Sequence, residues 1–236
     1  MTAMALLECE KLTKRFGGLI ALKEVDLQLN KGEILGLIGP NGSGKTTLIN
    51  CVAGFYSPTA GKVTLDGKDI TGLRDYEVNK KGIARTFQIP RPFPRLTVLQ
   101  NVIVGSRGDE DVAIRSLKEV GLHGIKDTLA KNLTTHQMRM LELARALATN
   151  PKVLLVDEVM AGLNPVEMEE TMSLLGKIRE GGLTLLWVEH VMRAIMKKAD
   201  RLIVLHEGEK IAQGNPSEIA GSPKVVEAYL GERYML

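Results

Sequence analysis

The segment Gly39-Pro40-Asn41-Gly42-Ser43-Gly44-Lys45-Thr46 constrains this chain more than any other stretch. It fits the phosphate-loop pattern, and its flanks agree with it. Ile34-Leu35-Gly36-Leu37-Ile38 is a nearly continuous apolar run that reads as a buried strand. Thr46 to Val52 reads as a helix stopped by Gly54 and Pro58. Strand, glycine-rich turn and helix start, in that order, make an anion cradle. The glycines let successive backbone N–H groups turn inward around phosphate oxygens. The helix aims the positive end of its dipole at the same charge. Lys45 can reach the β- and γ-phosphates, and the Thr46 hydroxyl can hold magnesium. A glycine-rich surface turn needs neither flank, so the flanks decide for a nucleotide with Mg2+.

The rest of the chain reads as an α/β protein built around that loop. Leu6 to Leu29 reads as two strands about the turn Phe16-Gly17-Gly18, with a second turn at Lys31-Gly32-Glu33. Lys62 to Gly67 reads as a strand and turn. Ile89 to Leu96 holds Pro90, Pro92 and Pro94 and excludes a regular element. Thr97 to Val104 reads as a helix capped by Thr97, Gly105 to Asp111 as a polar loop, and Val112 to Val120 as a second helix. These place a small helical lobe at about 89 to 148, inserted into the core. The core resumes at Lys152 to Glu158, with a helix at Met168 to Arg179 and a buried strand at Leu183 to Val188. A hairpin around Gly208 and two short helices between Pro216 and Leu230 complete the pattern.

A phosphate loop needs a second group for its metal. Asp157 ends an apolar strand, where a parallel sheet delivers residues to a nucleotide, and can hold magnesium directly or through water. Glu158 follows at once and can polarise a water for in-line attack on the γ-phosphate. His190 follows the strand ending at Val188 and falls at the same sheet edge, where it can hold that water in line. Gln88 sits where the core gives way to the proline-rich stretch and can bind magnesium or water.

Composition excludes several other classes. The 236 residues suit one α/β unit, or one core with a small lobe. Lys and Arg number 31 against 28 Asp and Glu, a net +3, and aromatic residues are 4%. That is too little positive charge and too few stacking rings to argue for nucleic acid. Cys9 and Cys51 make no disulfide framework, which favours a reducing compartment. Met1 to Leu7 has no basic residue before its apolar stretch and does not read as a signal peptide. No apolar run has the length of a membrane span, so any membrane association is expected to be peripheral.

Several further segments carry a resemblance: Gly82-Ile83-Ala84-Arg85-Thr86-Phe87-Gln88, Leu96 to Val102, Leu141 to Leu147, Ala161-Gly162-Leu163-Asn164-Pro165, Val188-Glu189-His190 and the tail Pro223 to Gly231. With the phosphate loop, they resemble the ATP-binding subunits of ABC transporters, from about Leu7 to the end. The resemblance is nearest to branched-chain amino acid importers of the LivG-like branch. It implies an ABC-type P-loop NTPase core with an N-terminal antiparallel β subdomain, spanning 1–88 and 149–236, and an inserted helical subdomain at 89–148. By that resemblance Phe16 stacks on adenine, and Gly39, Pro40, Asn41, Gly42, Ser43, Gly44, Lys45, Thr46 and Thr47 form the Walker A loop. Gln88 matches the Q-loop glutamine, Asp157 and Glu158 the Walker B aspartate and catalytic glutamate, and His190 the switch histidine. Thr134, His136 and Gln137 fall on the signature loop, which in this family meets the ATP held by a second subunit. The implied partners are that second ATPase subunit, identical or not, two transmembrane permease subunits and, through them, a solute-binding protein. The implied setting is cytoplasmic, on the inner face of the plasma membrane. The implied activity is ATP hydrolysis driving uptake.

The sequence departs from the family pattern in four places. His136 stands where the signature has glycine; if that position needs positive φ, a side chain weakens ATP sandwiching, and if not the loop works with altered geometry. This departure keeps a second function open, a nucleotide-dependent regulatory or structural subunit with weak hydrolysis. Val159 replaces the proline after Glu158, and Asn164 replaces the D-loop aspartate. The helical lobe is short between Val104 and Asn132.

Overall fold

In the computed structural model, which describes residues 5–234, two long strands open the chain, Ala5–Phe16 (β1) and Leu19–Asn30 (β2), paired antiparallel across the expected turn. Ile34–Ile38 (β3) leads into the glycine-rich loop and Lys45–Val52 (α1). Ala60–Leu65 (β4) returns along β1, and Lys68–Asp69 (β5) pairs with β4. Asp75–Lys81 (α2) and Ile83–Arg85 (β6) precede the proline-rich stretch. Val98–Gly105 (α3), Glu110–Glu119 (α4) and Thr135–Leu147 (α5) then pack on one another as a helical subdomain. The chain returns through Val153–Asp157 (β7), Pro165–Glu180 (α6), Thr184–Val188 (β8) and Met192–Lys198 (α7). It closes with the hairpin Arg201–His206 (β9) and Glu209–Gly214 (β10), then Pro216–Ala220 (α8) and Pro223–Tyr234 (α9).

The strands form two sheets. One is antiparallel, in the order β2-β1-β4-β5. The other has the order β10-β9-β3-β8-β7-β6, parallel except for β10. Every residue of β3, β7 and β8 is buried, which explains why these strands read as continuous apolar runs rather than alternating ones. Their side chains still alternate between two cores. Ile34, Ile38, Leu154, Val156, Leu185 and Trp187 pack with the helical side. Leu35, Leu37, Val153, Leu155, Leu186 and Val188 pack with α1 and the antiparallel sheet. Parallel pairing brings the C-terminal ends of β3, β7 and β8 to one edge, with Asp157 opposite Val188 and Leu37 opposite Val188 on the other side. That edge carries the site.

The structure corrects several expected boundaries. The polar loop expected from Gly105 to Asp111 narrows to 106–109, because Asp109 caps α4 by accepting the Val112 N–H at 3.0 Å. Glu110 and Asp111 then fall in the first turn, where the helix dipole favours acids. The helix expected from Met168 starts at Pro165, behind Asn164, whose side chain accepts the Val166 and Glu167 N–H groups. An asparagine does this as well as an aspartate, so the D-loop departure keeps its cap. Val159 is buried in the helical-side core, where a branched apolar side chain fills space. The short lobe still holds α3, α4 and two single helical turns, at His123–Ile125 and Ala130–Asn132. The expectation for Met1 to Leu7 falls, in its first four residues, outside the described residues. Among the described residues no helix is long and apolar enough to cross a membrane.

Candidate active site

The phosphate loop holds its shape through backbone that few residues tolerate. Gly39 has φ of 151°, and a Cβ there would stand 2.1 Å from the Leu205 carbonyl oxygen. Gly44, just before α1, has φ of 104°, and a Cβ there would stand 2.6 Å from the Ala21 carbonyl oxygen. Both positions require glycine on two counts, conformation and space. Lys45 folds back over the loop and donates to the carbonyls of Gly39 and Pro40, both at 2.7 Å. Ser43 Oγ is buried and has no hydrogen-bond partner among the described residues. A buried ammonium, an unpaired buried hydroxyl and a tight helix N-terminus fit a bound phosphate chain.

A cleft of about 600 Å³ opens over this loop. Asn41, Gly42, Ser43, Gly44, Lys45, Thr46 and Thr47 line it, with Phe16 on one wall and Gln88, Glu158 and His190 across from the loop. Gly39 and Pro40 do not line it; their carbonyls accept from Lys45. Phe16 is partly exposed, meets the edge of Tyr56 at 5.2 Å and lies 5.0 Å from Lys14 Nζ. An exposed ring that draws a cation over one face can stack a planar heterocycle on the other.

Of the three polar groups facing the loop, Glu158 touches both of the others. His190 Nε2 pairs with Glu158 Oε1, and Gln88 Nε2 donates to Glu158 Oε2. Glu158 has φ of 48°, a left-handed backbone that a side-chain-bearing residue rarely adopts. Its N–H donates to the Val188 carbonyl at 2.9 Å, which locks that turn onto the neighbouring strand. The kink places two consecutive residues differently. Asp157 stays in the strand and is buried, while the Glu158 carboxylate reaches the cleft. Burial raises the Asp157 carboxyl above the usual range, opposed by Arg85, whose Nη2 lies 2.8 Å from Asp157 Oδ2. Thr46 and Gln88 line the cleft and could offer oxygens to magnesium, whereas Asp157 does not line it and is paired with Arg85.

Thr134, His136 and Gln137 do not line the cleft of this chain. They form the first turn of α5. Thr134 Oγ1 accepts the Gln137 N–H at 3.2 Å and Gln137 Oε1 accepts the Thr134 N–H at 3.0 Å, a reciprocal cap. His136 lies inside this turn with right-handed backbone. The positive φ that would have penalised a side chain at this position is therefore not required of it. Its Nε2 is buried, with no hydrogen-bond partner among the described residues.

Four side chains that sequence reading left without a role hold this arrangement. Arg85 pairs with Asp157, donates to Asn50 and lies over Phe55 and Phe87 at 5.4 and 5.0 Å. Glu189 accepts the N–H groups of Met160 and His190 at 3.0 Å each, tying the segment after Glu158 to the segment carrying His190. Arg139 and Glu142, on α5, flank the backbone of Phe87. Burial pushes the Glu142 carboxyl up to about 7, against the Phe87 N–H and the charges of Arg139, Arg145 and Arg85. The folded chain thus keeps a proton that the unfolded chain releases near 4.5. Stability from this group is full below 4.5 and is lost as pH rises toward 7. Glu142→Gln should therefore stabilise the chain at pH 8 relative to pH 5, by on the order of 3 kcal/mol at most. Denaturant unfolding of both proteins at the two pH values measures this; an equal difference at both would contradict it.

Comparison with known proteins gives a consistent picture. The family model described as ABC transporter matches residues 22–161, and one described as branched-chain amino acid ATP-binding cassette transporter matches residues 209–234. The high-affinity branched-chain amino acid transport ATP-binding protein BraF of Pseudomonas aeruginosa is 38% identical, over 96% of this chain and 98% of its own. A crystal structure of a nucleotide-free ATP-binding cassette from an ABC transporter superposes with a TM-score of 0.90 at 34% identity, over 96% of this chain and 99% of that one. A dimeric ATP-binding cassette in a post-hydrolysis state, bound to ADP and Pi, superposes with a TM-score of 0.80 at 29% identity, over 89% and 98%.

Proposed function

This chain belongs to the ABC transporter family of ATP-binding subunits, and from that membership we propose that it drives uptake of branched-chain amino acids by hydrolysing Mg-ATP. The observation that carries the catalytic part is the convergence of Glu158, Gln88 and His190 across one cleft from the phosphate loop. Glu158 accepts a proton from the attacking water. His190 and Gln88, each bonded to that carboxylate, fix its orientation. The loop N–H groups, Lys45 and the start of α1 hold the phosphate chain, and Phe16 takes the adenine. Magnesium, held by Thr46 and Gln88, would neutralise charge on the β- and γ-oxygens. Within this chain the loop N–H groups and the side chains of Lys45, Glu158, Gln88 and His190 already stand around one cleft, so little rearrangement of them remains at the moment of reaction.

Two ATPase subunits facing one another would complete each site, with Thr134, His136 and Gln137 of one meeting the nucleotide of the other. The reciprocal cap on α5 leaves this helix start well ordered for that role. We divide the chain into a core of 1–88 and 149–236 and a helical insertion of 89–148. The cleft between them is lined by Phe87, Arg91, Val104 and Arg145 and is the surface offered to the permeases. With Phe93 and Ile89 exposed beside it, it presents apolar area rimmed by arginines. The chain then sits on the inner face of the plasma membrane, held by two permease subunits supplied by a solute-binding protein.

The test is uptake of labelled leucine, presented by its solute-binding protein, into proteoliposomes holding the chain, its partner ATPase subunit and its permeases and loaded with Mg-ATP. Uptake should require ATP inside and vanish with Lys45→Ala. Hydrolysis that accelerates with another class of solute, and no leucine uptake, would contradict the substrate assignment.

A further inference from the structure

Phe87 and Gln88 form a short strap between β6 and the proline-rich stretch. The Gln88 side chain reaches Glu158, so the place of that amide depends on where the strap backbone is held. The strap is not held by strand pairing, because β6 ends at Arg85. It is held from α5. Arg139 Nη1 donates to the Gln88 carbonyl and, at 3.4 Å, to the Phe87 carbonyl. Its Nη2 donates to the Ala161 carbonyl at 3.4 Å, in the loop that follows Glu158. Glu142, three residues on and so on the same helix face, is buried close to the Phe87 backbone. One buried guanidinium therefore spans both segments that flank the candidate base. Its planar fork of donors can do so where a single ammonium cannot. The same helix carries Thr134, His136 and Gln137 at its start.

We propose that Arg139 is a positioning residue for hydrolysis: it clamps the 87–88 strap to α5 and to the 159–164 loop, and so sets the Gln88 amide against Glu158. This rests on the roles given above to Glu158 and Gln88. Arg139 does not line the cleft; its effect on the rate runs through Gln88. It also makes the strap move with α5, so that the helix start offered to a second subunit and the amide serving this chain's own cleft shift together.

A double-mutant cycle on the full chain tests it, with kcat for Mg-ATP hydrolysis and the Kd of a fluorescent ATP analogue read for Arg139→Met, Gln88→Ala and the pair. Arg139→Met should lower kcat about tenfold with Kd changed less than about twofold. The pair should be no slower than Gln88→Ala alone, because the clamp has nothing left to position. Multiplying losses, about a hundredfold for the pair, would mean that Arg139 supports the fold independently of Gln88 and would overturn the proposal. So would an unchanged kcat in Arg139→Met. Arg139→Lys, which keeps the charge, goes through the same cycle should the methionine variant not unfold cooperatively, and the same non-additivity is expected of it. Failure of the underlying roles is separate: a normal rate in Gln88→Ala or Glu158→Gln would remove those residues, whatever Arg139 does.

Discussion

Glu158→Gln should abolish turnover and spare binding: kcat for Mg-ATP falls by at least ~100-fold if the carboxylate takes the proton of the attacking water. The substitution keeps size and hydrogen-bonding shape, so the kinked turn at Glu158 and its N–H bond to Val188 persist. What it removes is the group that can accept a proton and pair with His190. ATP affinity should remain within about twofold, since the phosphate contacts come from the loop on the far side of the cleft. Steady-state kinetics and equilibrium binding on one preparation separate the two effects. A rate within a few-fold of the parent would take Glu158 out of the role of base.

Lys45→Ala carries the second large effect, on binding. Lys45 is buried, and its ammonium bridges the Gly39 and Pro40 carbonyls. Deleting it takes a donor from both carbonyls, leaving the Pro40 oxygen with the Ser43 N–H at 3.2 Å, and removes the cation that would face the phosphates. A charged hydrogen bond contributes about 1.5–3 kcal/mol, so affinity should drop by roughly 10- to 100-fold or more. Calorimetric titration with Mg-ATP reads this directly. Unchanged affinity with a normal melting temperature would undo the phosphate-loop assignment.

The strand, loop and helix around Lys45 were legible because their spacing is local and each piece carries its own physical cause. The three core strands were legible because burial on both faces leaves no polar interruption in Ile34–Ile38, Val153–Asp157 or Thr184–Val188. Helix starts were less so. Acids at 109–111 look like loop residues until the cap at Asp109 is seen. The kink at Glu158 left no trace in the sequence, since a left-handed glutamate is imposed by the neighbouring strand. Arg85, Arg139, Glu142 and Glu189 were silent for the same reason. Arg85 meets Asp157 across 72 positions and Arg139 meets Gln88 across 51, so only the folded sheet brings them together. Their one advance signal was chemical: charged residues in otherwise apolar runs, as in Leu141-Glu142-Leu143-Ala144-Arg145, demand buried partners. His136 shows the reverse case. Its glycine-like position suggested a damaged loop, and helical backbone at that residue removes the conformational objection.

On the proposed reading, this cleft hydrolyses ATP when two subunits close on it. Magnesium-dependent ATP hydrolysis by the full chain, followed against its own concentration with Glu158→Gln alongside, tests this most directly. The predicted result is a rate that rises more steeply than the first power of protein concentration and disappears in the variant. A chain that binds no ATP, or a rate strictly proportional to protein and untouched by Glu158→Gln, would contradict it.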